Sequence, residues 1–532
     1  MSTSGERRAL WLTGALVLGI YALGVWRWAL ICDDAYITFR YARNLAEGHG
    51  AVWNPGEWVE GYTNFSLMFL LAGGMALGVP PEVVSTVIGV ASGVAVLALL
   101  ARFGAARRGW GDPLTWAPLL LLVTNRSFLG WTTGGLATML NTALVFGAMV
   151  AWLAEHEAED PRPWRSSLWG TAAMLTRPDA GLFAALLGLG LAVDVARRRR
   201  PPSALLVWLA TPVVALGVQL AWRWTTYGDW LPNTFRAKVD GSLDMAGLNY
   251  LGAFLWVHLL YGVVALAALG LTRWRAPHRL FAAAVLLHAA YLVQVGGDHI
   301  GYRFMVVVLP MLAWLAAEGL GRIRERWPAR RLTAALIIAL VGLGVWGSWR
   351  EAAQRPIFYI STLPWLERYA ARRLADGQLL RELVDAGRLP PDLRVAAGGI
   401  GALGWASRLY LFDLRGLTDR EVALQVRDRS NWIGHQRLAT AEQVLEREIA
   451  IIDVLNGLIH TEAPLMERGQ ARYKVEQWWG RGTGIQAMCL QVDERALVFA
   501  TALPQARADE VFADFARCTR KPSSVTPSPS DG

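Results

Sequence analysis

Residues 31–65 read ICDDAYITFRYARNLAEGHGAVWNPGEWVEGYTNF and follow directly on an apolar N-terminal segment. The stretch opens with two adjacent carboxylates, Asp33 and Asp34, and continues with aromatic residues and two arginines, Arg40 and Arg43. Carboxylates at a membrane boundary are costly to desolvate, so they usually line a polar cavity and bind or react there. The alternative is a solvated loop in which Asp33 caps a short helix. The stretch predicts a polar site at the end of a membrane helix.

The composition of the 532-residue chain is typical of a polytopic membrane protein with a soluble part. Hydrophobic residues make up 54% of the chain and charged residues 18%, which is below the ~25% of soluble domains. The net charge of +9 comes from arginine clusters between apolar segments. Such clusters indicate cytoplasmic loops and not a nucleic-acid-binding face. Of the three cysteines, Cys489 and Cys518 can form a disulfide if they lie outside the cytoplasm.

Eleven apolar segments are candidate transmembrane helices. They are residues 10–31, 82–103, 112–124, 138–154, 166–177, 180–196, 203–221, 247–271, 279–295, 303–319 and 332–348. We expect the first to be a retained helix and not a signal peptide, because it has no small-residue cleavage site. Segment 64–79 is also apolar. If it lies on the outer surface as a helix, every arginine-rich stretch falls on the cytoplasmic side.

This topology places the motif-like polar loops on one face, the extracytoplasmic one. These loops are Asp33–Asn64, Asn125–Thr138, Thr176–Asp179, Trp222–Asp240 and Gly296–Arg303. Residues 1–349 are therefore predicted to form a transmembrane module. The composition then becomes that of a soluble chain, and residues 350–515 are predicted to form a small extracytoplasmic α/β domain. Residues 516–532 are rich in Pro and Ser and are predicted to be a disordered tail.

An extracytoplasmic enzyme has no nucleotide sugar available, so a lipid-linked phosphate is the natural donor of a transferred group. Such a reaction needs a carboxylate near the acceptor hydroxyl and cations at the phosphate. Asp33 and Asp34 are candidates for the first. The candidate cations in the outer loops are Arg40, Arg177, Arg236, Lys238 and Arg303. Each cation taken alone could instead be an interfacial residue, but Pro178 and Asp179 could fix the geometry of Arg177.

Five motifs resemble those of membrane-bound arabinofuranosyltransferases of the GT-C superfamily. They are the first loop, LTRPDAG at 175–181, YGDWLPNTFRAK at 227–238, GGDHIGYRF at 296–304 and FDLRGLTD at 412–419. The resemblance covers about residues 10–440. It implies a GT-C fold with about 11 transmembrane helices, a decaprenyl-phosphoryl-arabinofuranose donor and a location in the inner membrane. The implied acceptor is a cell-surface glycan or a protein such as type IV pilin.

By this resemblance Asp33 is the catalytic carboxylate, which takes the proton of the acceptor hydroxyl, and Asp34 orients the acceptor or the base. Asp298 and His299 are further candidates beside the sugar or phosphate. One position departs from the family: TTGGLATML has Ala137 where relatives carry a glutamate. This departure leaves open whether a divalent cation takes part. No other cofactor is expected.

Two further classes of function compete with a glycosyltransferase. A transporter or flippase of a lipid-linked sugar should carry charged residues near the membrane midplane, whereas the acidic residues here cluster at the outer ends of the spans. A non-catalytic factor for a surface appendage should tolerate Asn in place of Asp33. The expected partners are thus a polyprenyl-phosphoryl sugar, an acceptor and the lipid bilayer.

Overall fold

Two compact units make up the chain, and the boundary between them falls after Ala370. The computed structural model describes residues 4–238, 245–352, 360–425, 437–460 and 464–518. The first unit is helical. Its helices are α1 Ser4–Arg27, α2 Asp33–Ala46, α3 Phe65–Ala76, α4 Pro81–Arg108, α5 Pro113–Val123, α6 Arg126–Thr133, α7 Thr138–Glu157, α8 Trp164–Thr176, α9 Gly181–Ala196, α10 Pro202–Tyr227, α11 Asn233–Lys238, α12 Met245–Val257, α13 Tyr261–Gly270, α14 Ala276–Val295, α15 Leu309–Arg326 and α16 Arg330–Ala352.

Each predicted span coincides with helical residues. Seven helical segments among the described residues are long and apolar enough to cross a membrane: Leu10–Arg27, Pro81–Arg108, Thr138–Glu157, Pro178–Ala196, Pro202–Tyr227, Ala276–Val295 and Arg303–Arg326. The predicted spans at 112–124, 166–177 and 332–348 correspond to the shorter or less apolar helices α5, α8 and α16. The total of eleven spans stays a prediction.

The span predicted at 247–271 differs from the structure, because it consists of two helices. Met245–Val257 and Gly262–Gly270 are bent by 101° relative to each other. Between them Leu259 adopts a left-handed φ of 52°, which interrupts the helix. The His258 ring nitrogen Nε2 lies 3.0 Å from Ser127 Oγ, so the break points a polar side chain into the helical unit.

The apolar segment at 64–79 forms α3, Phe65–Ala76, a helix of 12 residues. At 1.5 Å per residue this helix is about 18 Å long, too short to cross a hydrocarbon core of about 30 Å unaided. It buries Leu67 and Leu71 and leaves Phe69 and Leu70 exposed. The predicted position on the outer membrane surface is compatible with this length and stays a prediction.

The second unit is built on a mixed sheet. Its strands are β1 Arg394–Ala397, β2 Tyr410–Asp413, β3 Ile451–Ile452, β4 Ile459–His460, β5 Gln486–Val492, β6 Arg495–Thr501 and β7 Ala516–Arg517. The sheet order is β2-β1-β3-β6-β5-β7, with β4 also pairing with β6. Strand β1 is parallel to β2 and β3, and the other pairs are antiparallel.

Helices alternate with the strands of this unit along the chain. They are α17 Leu363–Asp385, which begins in the first unit, α18 Gly401–Ser407, α19 Arg420–Leu424, α20 Ala441–Glu446, α21 Pro464–Trp479 and α22 Gln505–Val511. Helix α18 lies between β1 and β2 in the chain, because parallel neighbours need a crossover and not a tight hairpin.

Ordered structure continues a few residues past the predicted start of the disordered tail. Ala516 and Arg517 pair with β5, and Cys518 is bonded to Cys489. The disulfide between Cys489 and Cys518, which the sequence allowed, is therefore present. Residues 519–532 of the predicted tail lie outside the described residues.

Candidate functional site

The two adjacent carboxylates occupy the first turn of α2. Acidic side chains are favoured at a helix N-terminus, where the backbone N–H groups and the helix dipole are positive. Their accessibility differs: residue Asp33 is 7% exposed, whereas the Asp34 side chain is 31% exposed. The more accessible carboxylate of the pair is therefore Asp34, for which the resemblance implies the orienting role.

The segment TTGGL at 132–136 holds the start of α2. The backbone N–H of Cys32 donates to Gly134 O at 3.3 Å, and the N–H of Leu30 donates to Thr133 Oγ1 at 3.1 Å. Gly135 has a φ of 77°, and a Cβ there would lie 2.5 Å from the Ala35 Cβ. A side chain at this position would therefore push α2 away. Ala137, two residues on, is buried, so a small apolar group occupies the position at which the resemblance implies a glutamate.

Arg303 connects the acidic pair to the loop GGDHIGYRF. Its Nε donates to Asp298 Oδ2 at 2.5 Å and its Nη2 to Asp298 Oδ1 at 3.5 Å. Its Nη1 lies 3.4 Å from Asp34 Oδ2. Asp298 also accepts the backbone N–H of His299 at 2.9 Å, and the His299 ring nitrogen Nδ1 is 3.6 Å from the same carboxylate. One guanidinium thus faces two carboxylates from distant parts of the chain.

Glycines allow the backbone conformation of the loop 296–304. Gly296 and Gly297 both have a φ of 81°, and a Cβ on Gly297 would lie 2.6 Å from the Tyr250 ring. The Gly301 carbonyl accepts the Trp131 indole N–H at 2.8 Å, and the Ser361 backbone N–H donates to His299 O at 2.8 Å. The loop is therefore held by hydrogen bonds just after Asp298, which favours a fixed orientation of its carboxylate.

A second arginine, Arg177, lies against the same aromatic ring as Arg303. The guanidinium carbon of Arg177 is 5.0 Å from the centre of the Phe304 ring, and that of Arg303 is 5.3 Å away. Arg177 forms a two-pronged hydrogen bond with Asp179, from Nε to Oδ1 at 2.9 Å and from Nη2 to Oδ2 at 3.1 Å. The structure therefore brings together five residues that the sequence singled out: Asp34, Arg177, Asp179, Asp298 and Arg303.

Arg40 does not join this group, and its predicted place at a donor phosphate is not supported. It is 2% exposed. Its Nε donates to Trp53 O at 2.8 Å and its Nη2 to Asn54 Oδ1 at 3.0 Å. Its guanidinium also lies over the Trp53 ring, at 4.4 Å. A buried guanidinium that is bonded to the following loop fixes that loop and is not available to a ligand.

The segment YGDWLPNTFRAK forms its own ion pair. Arg236 Nη2 donates to both Asp229 oxygens, at 2.7 and 3.0 Å. Burial raises the pKa of Asp229, but the hydrogen bond and charge of Arg236 and the backbone N–H groups of Leu231 and Trp230 together outweigh that effect and hold the pKa below its usual value. The Asn233 backbone N–H donates to Glu60 O at 3.0 Å, so this segment lies on the first loop. The Lys238 side chain lies outside the described part of the chain.

A buried ion pair that the sequence analysis missed clamps the first loop to α10. Arg223 donates from Nε to Glu60 Oε2 at 2.5 Å and from Nη2 to Oε1 at 3.2 Å, and both side chains are less than 10% exposed. The Tyr227 hydroxyl donates to Ala51 O at 2.7 Å. The available signal was a charged residue close to the end of an apolar span. The predicted loop 222–240 includes Arg223, which the structure places inside α10.

No group of three or more His, Cys, Asp or Glu side chains suited to a metal ion occurs among the described residues. The described side chains of the site are mainly paired carboxylates and guanidinium groups, which can take up protons and bind anions. Three partly accessible groups stand out in it: the Asp34 carboxylate, the His299 imidazole with its side chain 25% exposed, and the Arg177 guanidinium with its side chain 19% exposed.

The chain is similar to proteins named terminal beta-(1->2)-arabinofuranosyltransferase. It is 28% identical over 403 residues to the one from Mycobacterium tuberculosis, which covers 66% of this chain and 62% of that protein. It is 27% identical over 364 residues to the one from Corynebacterium glutamicum, which covers 57% and 49%. This chain thus spans less than two thirds of the curated relatives that it matches. Residues 368–499 also match a family described as a domain of unknown function, DUF8728.

Solved structures of two proteins share the fold. ArnT from Cupriavidus metallidurans, in its apo state and bound to undecaprenyl phosphate, superposes with a TM-score of 0.56 at 13% identity, covering 93% of this chain and 98% of ArnT. The Archaeoglobus fulgidus oligosaccharyltransferase, in complex with Zn and sulfate, gives 0.51 at 12% identity, covering 93% and 74%. The resemblance to GT-C arabinofuranosyltransferases is thereby confirmed. The chain is a multi-pass membrane protein with the GT-C fold and a small C-terminal sheet domain.

Proposed function

We propose that the protein is a glycosyltransferase that moves an arabinofuranosyl group from a polyprenyl-phosphate donor to an acceptor hydroxyl. The names of the two sequence relatives support the sugar. The undecaprenyl phosphate bound to ArnT, a protein of the same fold, supports the class of donor. The observation that carries the proposal is the contact of Asp34 with Arg303, which puts a partly accessible carboxylate beside the loop of Asp298 and Phe304.

The reaction assigns separate roles to the carboxylate pair and to Arg177. The acceptor oxygen attacks the anomeric carbon of the donor, and the bond from that carbon to the phosphate oxygen breaks. A carboxylate of the pair Asp33 and Asp34 takes up the hydroxyl proton. The leaving polyprenyl phosphate keeps the bonding electrons, and the role proposed for Arg177 is to stabilise its charge through the guanidinium N–H groups that Asp179 does not occupy.

Two features support a site on the extracytoplasmic face of the inner membrane. Arginine clusters such as Arg197–Arg200 and Arg322–Arg331 fall on one side in the eleven-span topology, as is usual for the cytoplasmic side. The second unit contains the Cys489–Cys518 disulfide, and disulfides persist in oxidising compartments outside the cytoplasm. A polyprenyl-linked donor suits that face, because it needs no nucleotide sugar there.

The proposed acceptor is a hydroxyl of a cell-surface glycan or of a protein such as type IV pilin. Ala137 bears on this choice. A buried methyl group near the start of α2 removes the carboxylate that related enzymes carry there, so the acceptor contacts on this side differ in chemistry. Transfer assays with the two classes of acceptor distinguish them.

The test is transfer by the purified full-length protein in detergent or in liposomes. The donor is polyprenyl-phosphoryl arabinofuranose with a radiolabelled sugar, offered with an arabinan oligosaccharide or with purified pilin. We expect labelled acceptor and free polyprenyl phosphate in equal amounts. Movement of the intact donor across a liposome membrane without transfer would instead identify a flippase. Inactivity with both acceptors, with intact donor on both sides, would remove the proposed function.

A further inference from the structure

The two arginines beside Phe304 use their nitrogens differently. Arg177 directs Nε and Nη2 to Asp179, and its Nη1 has no hydrogen-bond acceptor among the described residues. Arg303 directs all three nitrogens towards carboxylates, Nε and Nη2 to Asp298 and Nη1 to Asp34. A guanidinium binds a phosphate best with two parallel N–H groups. Arg303 could offer such a pair only by giving up a carboxylate.

Burial also distinguishes the two ends of the network that Arg303 forms with Asp298 and Asp34. The Arg303 and Asp298 side chains are 9% and 6% exposed, whereas Asp34, at the other end of the contact, is 31% exposed. An ion pair at this depth is costly to break, because removing one partner leaves an uncompensated buried charge. The accessible end of the network is therefore the Asp34 carboxylate and not the Arg303 guanidinium.

Resting on the proposed function, we propose that Arg303 is a positioning residue: it holds the Asp34 carboxylate in place and ionised to receive the acceptor proton, and it does not bind the donor phosphate. Asp298 fixes the guanidinium from the other side, in a loop that Trp131 and Ser361 hold in place. This role replaces the phosphate contact predicted for Arg303 from the sequence, and it leaves that contact to Arg177.

The charges around Asp34 set the expected pH dependence. Cys32 and Asp33 lie on its own segment, and Arg303, with Asp298 behind it, lies on the loop 296–304. A neighbouring carboxylate disfavours ionisation, and a neighbouring guanidinium favours it. If Arg303 is replaced by a neutral residue, the protonated form of the base persists to higher pH. The acidic limb of the kcat/KM profile should then move up.

The experiment compares Arg303→Gln, Arg303→Lys, Asp34→Asn and the double variant Asp34→Asn/Arg303→Gln in the transfer assay. Arg322→Gln is the control, because that residue forms a surface pair with Glu325 outside the site. We expect Arg303→Gln to lower kcat about 100-fold, within the range for an impaired general base, with the donor KM changed less than about twofold. Its acidic limb should rise by about one pH unit.

Two comparisons identify a residue that acts through another. The double variant should be no less active than Asp34→Asn alone, because effects of groups that work as a unit are not additive. Arg303→Lys keeps the positive charge and loses the two-pronged hydrogen bond to Asp298. The acidic limb of its kcat/KM profile should therefore match that of the wild type, and its kcat should fall only in part. If Arg303→Gln does not fold, as judged by gel filtration, the Lys variant decides on donor KM and kcat alone.

An increase of about tenfold or more in donor KM with kcat unchanged would overturn the inference and return Arg303 to the phosphate. Fully additive losses in the double variant would also overturn it. Either result requires an active wild type. An inactive wild type counts against the proposed function itself, so the two failures are distinguishable.

Discussion

Arg303 Nη1 lies 3.4 Å from Asp34 Oδ2, although 269 positions separate the two residues in the chain. This contact unites the acidic pair of the first loop with the loop GGDHIGYRF. Phe304 on that loop also contacts Arg177, so the segment LTRPDAG lies beside the same loop. Three motifs that are far apart in the sequence thus form one cluster of charged side chains, on which the following predictions rest.

Replacing either carboxylate of the acidic pair should abolish transfer. Asp33→Asn and Asp34→Asn each keep the size of the side chain and remove its basicity, so we expect losses of about 10²- to 10⁴-fold in rate. The measurement is transfer by purified protein from the polyprenyl-phosphoryl pentose. Asp385→Asn, in an exposed pair with Arg381, is the control and should keep full activity. Wild-type rates in one variant would remove that residue from the mechanism.

Arg177→Lys should impair use of the donor more than use of the acceptor. Lysine keeps the charge, but it cannot hold Asp179 with two nitrogens and present a third to a phosphate. We expect the apparent KM for the donor to rise about tenfold while that for the acceptor stays constant. The matched control is Arg324→Lys, since Arg324 forms a similar fork on Asp112, with both contacts at 2.7 Å, in a stretch predicted to be cytoplasmic. A rise in the acceptor KM alone would assign Arg177 to the acceptor.

Glu60→Gln should destabilise the protein. The substitution leaves Arg223 as an unpaired buried charge, and loss of one partner of a buried pair costs about 3–5 kcal/mol. Thermal unfolding of the detergent-solubilised protein measures the effect. Glu325→Gln removes a carboxylate from a half-exposed surface pair and should cost no more than about 1 kcal/mol. Equal melting temperatures for the two variants would mean that the clamp between the first loop and α10 contributes little.

Asp413 should make the stability of the protein depend on pH. Burial raises its pKa from 3.8 to about 6, against the opposing effect of hydrogen bonds from the Thr418 and Arg415 backbone N–H groups. Between about pH 4 and pH 6 the folded state keeps a proton that the unfolded chain loses. The free energy of unfolding should therefore fall by up to about 3 kcal/mol as pH rises through this window, and stay level above it.

The comparison with Asp413→Asn isolates this contribution, because all other titrating groups are shared. The melting temperature of the variant should fall less between pH 4 and pH 6 than that of the wild type. Asp385→Asn should follow the wild type. Parallel curves for wild type and Asp413→Asn would show that Asp413 titrates as an ordinary carboxylate.

The predicted topology can be tested with single introduced cysteines. Arg198 and Tyr473 are both exposed, whereas Ala450 in the second unit is only 3% exposed and would react poorly. The native cysteines interfere little, since Cys32 is buried and the other two are bonded to each other. A membrane-impermeant maleimide added to intact cells should label Tyr473→Cys and not Arg198→Cys. The reverse pattern would contradict the eleven-span topology.

The positions of the helices followed from the sequence, because long apolar segments in lipid have to satisfy their backbone hydrogen bonds internally as helices. The predicted span 247–271 is not one continuous helix, because the left-handed Leu259 breaks it. Leu259 is neither proline nor glycine, so its residue type does not indicate such a break. It depends on the packing of the neighbours, here on the contact between His258 and Ser127.

The sequence by itself determined that the protein has apolar helices, a later sheet domain and a small set of charged motifs, since residue type and local spacing decide these features. Only the tertiary structure decided which charges meet. Arg40 and Arg303 both looked like phosphate ligands, yet one holds a loop through Trp53 and the other faces Asp34 and Asp298. The physical reason is that ion pairs form between whichever groups the packing of distant segments brings within a few ångströms. Close approaches such as that of Gly135 to Ala35 set that packing.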